Sequence, residues 1–149
     1  MSLPKPRIFI ALAALLGFLN ASRANVVINE IMYRPGTSIP TFTVEDTARE
    51  FIELHNTALV GVDISGWALT SGVSYTFPPG TTIPPGGFVV VAGNPAAVQA
   101  QYGIGGVLGP WLAGSTLSNS GEKIELSKPG VTPGTLEWIG GIAHKENEG

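Results

Sequence analysis

From Val26 to Leu126 the chain is a succession of short β-branched and aromatic runs, each closed by turn-forming residues. Apolar runs of strand length between Gly, Pro, Asn and Ser clusters describe strands joined by tight turns. The 20 glycines and 12 prolines show no collagen period, so they read as turns. A chain built this way has few folds open to it besides an all-β sandwich or barrel.

The strand candidates follow in order. NVVINEIMY (25–33) is stopped by Arg34-Pro35-Gly36. Strict alternation would put Val27, Asn29, Ile31 and Tyr33 on one side, and Val26, Ile28, Glu30 and Met32 on the other. Neither set is purely polar, which suggests a bulge or a doubly buried stretch. A polar loop then runs to about Arg49. In EFIELHN (50–56), Ile52 and Leu54 face one way, and Glu53 and His55 the other. Val62 to Leu69 is expected as one strand with Trp67 and Leu69 turned inward. Ser74 to Phe77 and Thr81 to Ile83 are short strands closed by Pro-Pro-Gly turns. FVVVA (88–92) is continuously apolar and reads as a central buried strand. Asn94-Pro95 opens the one helical stretch, Ala96 to Tyr102, with Asn94 as cap and Pro95 at the first position. Gly103 to Gly109 is a glycine-rich loop, EKIELS (122–127) is a strand, and Leu136 to Ala143 is the last candidate. About seven to nine short strands and one short helix predict an antiparallel two-sheet β-sandwich of immunoglobulin-like size, with a closed barrel as the runner-up.

The segment before Asn25 has a different character. Lys5 and Arg7 precede Ile8–Leu19, an uncharged apolar run, and Ser22 and Ala24 are small residues at the −3 and −1 positions of a cleavage site. This is the pattern of a secretory signal peptide over residues 1–24, cleaved after Ala24. Twelve helical residues span only about 18 Å, short of a roughly 30 Å hydrocarbon core. The expected mature chain is residues 25–149, one domain by length, secreted or held at the cell envelope, with no membrane span of its own. The leader carries three of the eight basic residues and none of the eleven acidic ones, so its removal takes the formal charge from −3 to −6. Such a balance disfavours nonspecific nucleic-acid binding. Without cysteine, disulfides, thiolate metal sites and cysteine nucleophiles are excluded, and stability must come from the core.

Five stretches carry a resemblance. VINEIMYRP (27–35), EFIELHN (50–56), VDISGWAL (62–69), YTFPPGTTIPPGGFVVVAGN (75–94) and LSNSGEKIELSKPG (117–130) occur in the order and spacing of the lamin tail domain. The chain resembles that family, and in particular its secreted bacterial members, over roughly residues 26–130. The resemblance implies an immunoglobulin-like binding or targeting module without catalytic residues or cofactors. Relatives of this kind are often joined to secreted hydrolases or nucleases, or lie within large surface proteins. Leu136 to Gly149 departs from the family's closing strand, so the last strand is expected to be atypical or cut short, leaving an open sheet edge.

Chemistry-bearing residues are few. Glu50 and Glu53 have an odd offset and point to opposite strand faces, so they form no local carboxylate dyad. Glu30 and Glu53 would meet if their strands pair. With Glu45 and Asp46 they are the candidate cation ligands, although calcium asks for six to eight oxygens and no spaced acidic loop supplies them. His55 and His144 have no zinc spacing, and no metal site is expected. The serines complete no nucleophile elbow, and the loop at Gly103–Gly106 lacks a phosphate-loop lysine. Trp111 and Tyr102 are the candidate ligand-contacting aromatics, set against the reading in which Trp111 plugs one end of the sandwich. Loops 34–49 and 103–116, or strand addition at an open edge, are the expected contact regions. A protein or cell-surface component is the expected partner. A polysaccharide-binding sandwich is the second reading, and a nucleic-acid-binding accessory of a secreted nuclease or hydrolase system is the third.

Overall fold

The computed structural model describes residues 25–36 and 46–144, so the expected leader (1–24) and Glu45 lie outside the described residues. Among these described residues, nine strands, one α-helix and one 3-10 turn follow in chain order. They are β1 (Val26–Met32), the 3-10 turn Thr47–Arg49, β2 (Phe51–Asn56), β3 (Val62–Asp63), β4 (Ala68–Ser71) and β5 (Tyr75–Thr76). Then come β6 (Thr82–Ile83), β7 (Phe88–Ala92), α1 (Pro95–Tyr102), β8 (Glu122–Pro129) and β9 (Leu136–His144). Antiparallel pairing gives a three-stranded sheet β1-β2-β7, a four-stranded sheet β5-β4-β8-β9, and a small β3-β6 ribbon. This is the expected immunoglobulin-like antiparallel sandwich.

The core lies between the two larger sheets. Ile52 and Leu54 of β2 and Val91 of β7 are fully buried and belong to one cluster with Leu69, Ile124 and Leu126 of the other sheet. Phe77, Ile64, Ile83 and Trp111 belong to the same cluster. Each fully buried aliphatic side chain contributes about 2 kcal/mol through removal from water, which is how a chain without disulfides holds together.

Two local expectations hold and two change. Of the two readings of the mixed faces of β1, the bulge is found, between Ile28 and Glu30. Val27 pairs with His55 and Glu30 with Glu53, so both lie on the outer face despite their odd offset. The single strand expected across 62–69 is two strands, because Gly66 adopts φ +74° and turns the chain between β3 and β4. Leu69 faces the core, whereas Trp67 precedes β4 and is half-buried against it. FVVVA is not central: β7 ends its sheet, and its outer side is covered by loop 107–108, which bridges in parallel at Val91 and Leu108. Finally, the expected last strand forms as Leu136–His144, at the end of its sheet, and pairs with β8 from Glu122–His144 to Pro129–Leu136.

The outer face of β1-β2-β7 is divided. Its third row, Met32, Phe51 and Ala92, packs under Val98 of α1. The remaining rows are Val27–His55–Phe88 and Glu30–Glu53–Val90.

Candidate functional site

Three pieces of backbone converge where α1 begins. The first is the 3-10 turn after the polar loop. Asp46 caps it, accepting from the Ala48 amide at 3.1 Å and pairing with Arg49 at 2.9 Å. The second is Gly93-Asn94. Asn94 accepts from the Ala97 amide at 3.2 Å and Pro95 fills the first helical position, the start that the sequence predicts. The third is the loop 110–116. Its ends are anchored by Trp111, whose amide donates to the Ala92 carbonyl at 3.3 Å, and by Leu117, whose amide donates to the Glu50 carboxylate at 2.8 Å. Glu50 is fully buried, directly after the 3-10 turn, so this contact ties two walls together across 67 positions of sequence.

Between these walls lies an open cleft of about 360 Å³, lined by Thr47, Ala48, Gly93, Asn94 and residues 110–116. No lining side chain carries a charge. The cleft offers hydroxyls, an amide and apolar surface, which suits hydrogen bonding and apolar contact rather than proton transfer or phosphate capture. Of the two loops expected to make contacts, 34–49 contributes Thr47 and Ala48 to the cleft and 103–116 contributes residues 110–116.

Trp111 is the floor of this cleft rather than a projecting platform. It is 4 % exposed, and its indole N–H donates to the Ser115 carbonyl at 2.8 Å. Gly93 allows this approach: a Cβ there would lie 2.9 Å from the ring. The ring therefore plugs the sandwich and presents no face on which a sugar can stack. Tyr102 is 44 % exposed, but it ends α1 while the cleft sits at its start, about 12 Å away along the helix. Its ring meets Phe51 edge-on at 5.5 Å. The two aromatics do not form one site.

The candidate cation ligands separate as well. Glu30 and Glu53 are cross-strand partners, as their facing strands suggested. Asp46 is held by Arg49 and its cap, and Glu45 is outside the described residues. Among the described residues no three acidic or histidine side chains come together as a metal-binding group. His55 stacks on Phe88, with centroids 4.3 Å apart and planes 12° from parallel; His144 stacks on Tyr33 at 4.3 Å. These ring pairs were not read from the sequence, because each needs a register between distant segments.

No curated protein matches the chain. The family model described as Lamin Tail Domain matches residues 20–139, a span that takes in the three-stranded sheet, the helix, the cleft and the four-stranded sheet as far as the start of β9. With its immunoglobulin-like sandwich and this match over most of its length, the chain belongs to the lamin tail domain family.

Proposed function

We propose that this chain is a secreted, non-catalytic binding module that attaches itself or a fused protein to a protein or cell-surface component outside the cytoplasm. The lamin tail domain is a family of non-catalytic immunoglobulin-like modules, and the family membership supports binding in general. The observation that carries the more specific reading is the convergence of two separate loops on one uncharged cleft, held open over the buried Trp111. Loops on a rigid sandwich are the usual place for recognition in such folds. The leader at residues 1–24 supports export.

A substitution inside the cleft tests this. Ala113 is exposed and lines the cavity, so Ala113→Trp fills the space without removing a core contact. The expected outcome is an unchanged unfolding midpoint with loss of retention on the producing cell's envelope fraction. Equal retention of the variant and the parent removes the cleft as the contact site.

A further inference from the structure

The outer face of β1-β2-β7 carries a second constellation, beyond the row that packs under α1. In one row His55 and Phe88 are cross-strand partners with stacked rings, and Phe88 is 53 % exposed. In the next row Glu30 and Glu53 stand directly opposite each other. The rows are two residues apart on β2, about 7 Å. Asn29, the bulged residue, donates its amide to Glu53 at 2.8 Å and so orients that carboxylate.

Two features of this face work against the fold when nothing is bound to it. Like charges directly opposed across a strand pair destabilise it. A half-exposed phenylalanine leaves apolar surface in water. Both are relieved by one chemical group, a guanidinium. It is cationic, it accommodates a carboxylate through its fork of N–H donors, and it stacks flat on aromatic rings. A lysine ammonium satisfies the charges but gains less from the flat platform. The formal charge of the chain, −3 with the leader and −6 without it, adds a long-range attraction for a basic partner.

We infer that the exposed face formed by Glu30, Glu53, His55 and Phe88 is a docking surface for an arginine-bearing segment of a basic protein partner. The guanidinium packs on the part of the His55–Phe88 stack that is left exposed, with its fork toward Glu53 and the charge of Glu30 one strand further on. This surface shares no lining residue with the cleft at the start of α1, so the inference stands or falls separately from the proposed cleft function.

The test uses the whole chain and two synthetic octapeptides, alternating arginine with serine and lysine with serine, titrated by calorimetry at low and at physiological salt. The expected result is saturable binding of the arginine peptide, weaker binding of the lysine peptide, and loss of affinity as salt rises. Glu53→Gln keeps an acceptor for Asn29 while removing the charge, and weakens arginine-peptide binding about tenfold. Phe88→Ser weakens it several-fold and narrows the difference between arginine and lysine. Glu53→Gln also leaves the unfolding midpoint unchanged or raised, because it removes the like-charge opposition. Glu125→Gln, on the other sheet beside Lys123, leaves peptide affinity unchanged. The inference is overturned by equal weakening from Glu125→Gln, which would mean net charge alone. It is equally overturned by indifference to Phe88→Ser, by absence of peptide binding, or by calcium alone binding at Glu30 and Glu53 without the peptide. Ala113→Trp is expected to bind the peptide as the parent does, even where its envelope retention is lost.

Discussion

Asn56 shows how one buried polar side chain can organise three segments. It is fully buried at the end of β2. Its Nδ2 donates to the carbonyls of Val60 at 2.8 Å, Ile83 at 3.0 Å and Pro84 at 3.0 Å, while its Oδ1 accepts from the Ala58 amide at 2.9 Å. The side chain therefore fixes the turn after β2 and ties it to the end of β6. Asn56→Ala leaves several of these backbone groups unmet in a buried setting, and about 3 kcal/mol of stability is expected to be lost. Urea unfolding of parent and variant measures this, with an unchanged slope if the fold is otherwise retained. Tyr75 gives a second residue-level expectation. Burial pushes its hydroxyl above the ordinary tyrosine range, and a backbone hydrogen bond with Gly109 offsets part of that rise. A folded-state value above the unfolded one means that the contribution is fully present below about pH 10 and is lost as pH rises through the folded value. Tyr75→Phe keeps the edge-on packing against Phe77 and removes the titration. Stability measured between about pH 8 and 11 should then fall less steeply in the variant; parallel curves would remove Tyr75 as a contributor.

At the scale of elements, what the sequence disclosed depended on how local the cause was. Ile52 and Leu54 were readable as core because a period of two needs only their own strand. The cap of α1 was readable because Asn94 and Pro95 act on their own backbone. The position of β7 was not. Its apolar run reports covering on two sides, and here one cover is α1 with loop 107–108 rather than further strands. The face of Glu30 was likewise hidden by the bulge at Asn29, which exchanges the two sides of β1 partway along. Convergence of the cleft walls rests on Glu50 meeting Leu117, a contact with no local signal. The same loop supplies an element-level prediction. Leu108 donates to Val90 at 2.8 Å and accepts from Ala92 at 3.0 Å, closing the outer side of β7. Gly109 follows at φ +125°, where a Cβ would run into the Ala92 carbonyl. Gly109→Ala should cost about 3 kcal/mol through backbone strain and overlap. It should also disturb the hydrogen bonds of Trp111, seen as faster exchange of its indole proton by NMR. Slow exchange with an unchanged midpoint would show that the loop absorbs a side chain at this position.

At the scale of the whole molecule, the proposed leader and the sandwich set separate conditions on the same stretch of chain. Cleavage after Ala24 is proposed from the small residues Ser22 and Ala24 at the −3 and −1 positions. The sandwich requires that Asn25 and Val26 survive processing. The Asn25 carbonyl accepts from the Thr57 amide at 2.7 Å, and Val26 is 1 % exposed within the main core. A cut two residues later would remove that hydrogen bond and a core side chain, together costing about 3 kcal/mol, a large share of the stability of a domain this size. A cut after Ala24, as proposed, keeps both residues. The prediction is that protein recovered from the medium or the envelope has an intact mass beginning at Asn25, and that replacing Ala24 with a bulky residue keeps the precursor uncut. Recovery of the parent with its leader attached would make Ile8–Leu19 an anchor, despite a helical length of about 18 Å against a roughly 30 Å hydrocarbon core. In that case the domain would act tethered to a membrane and its partner would have to be found there. A mass beginning at Asn25 would instead leave a free acidic module, whose charge of −6 favours encounter with basic partners.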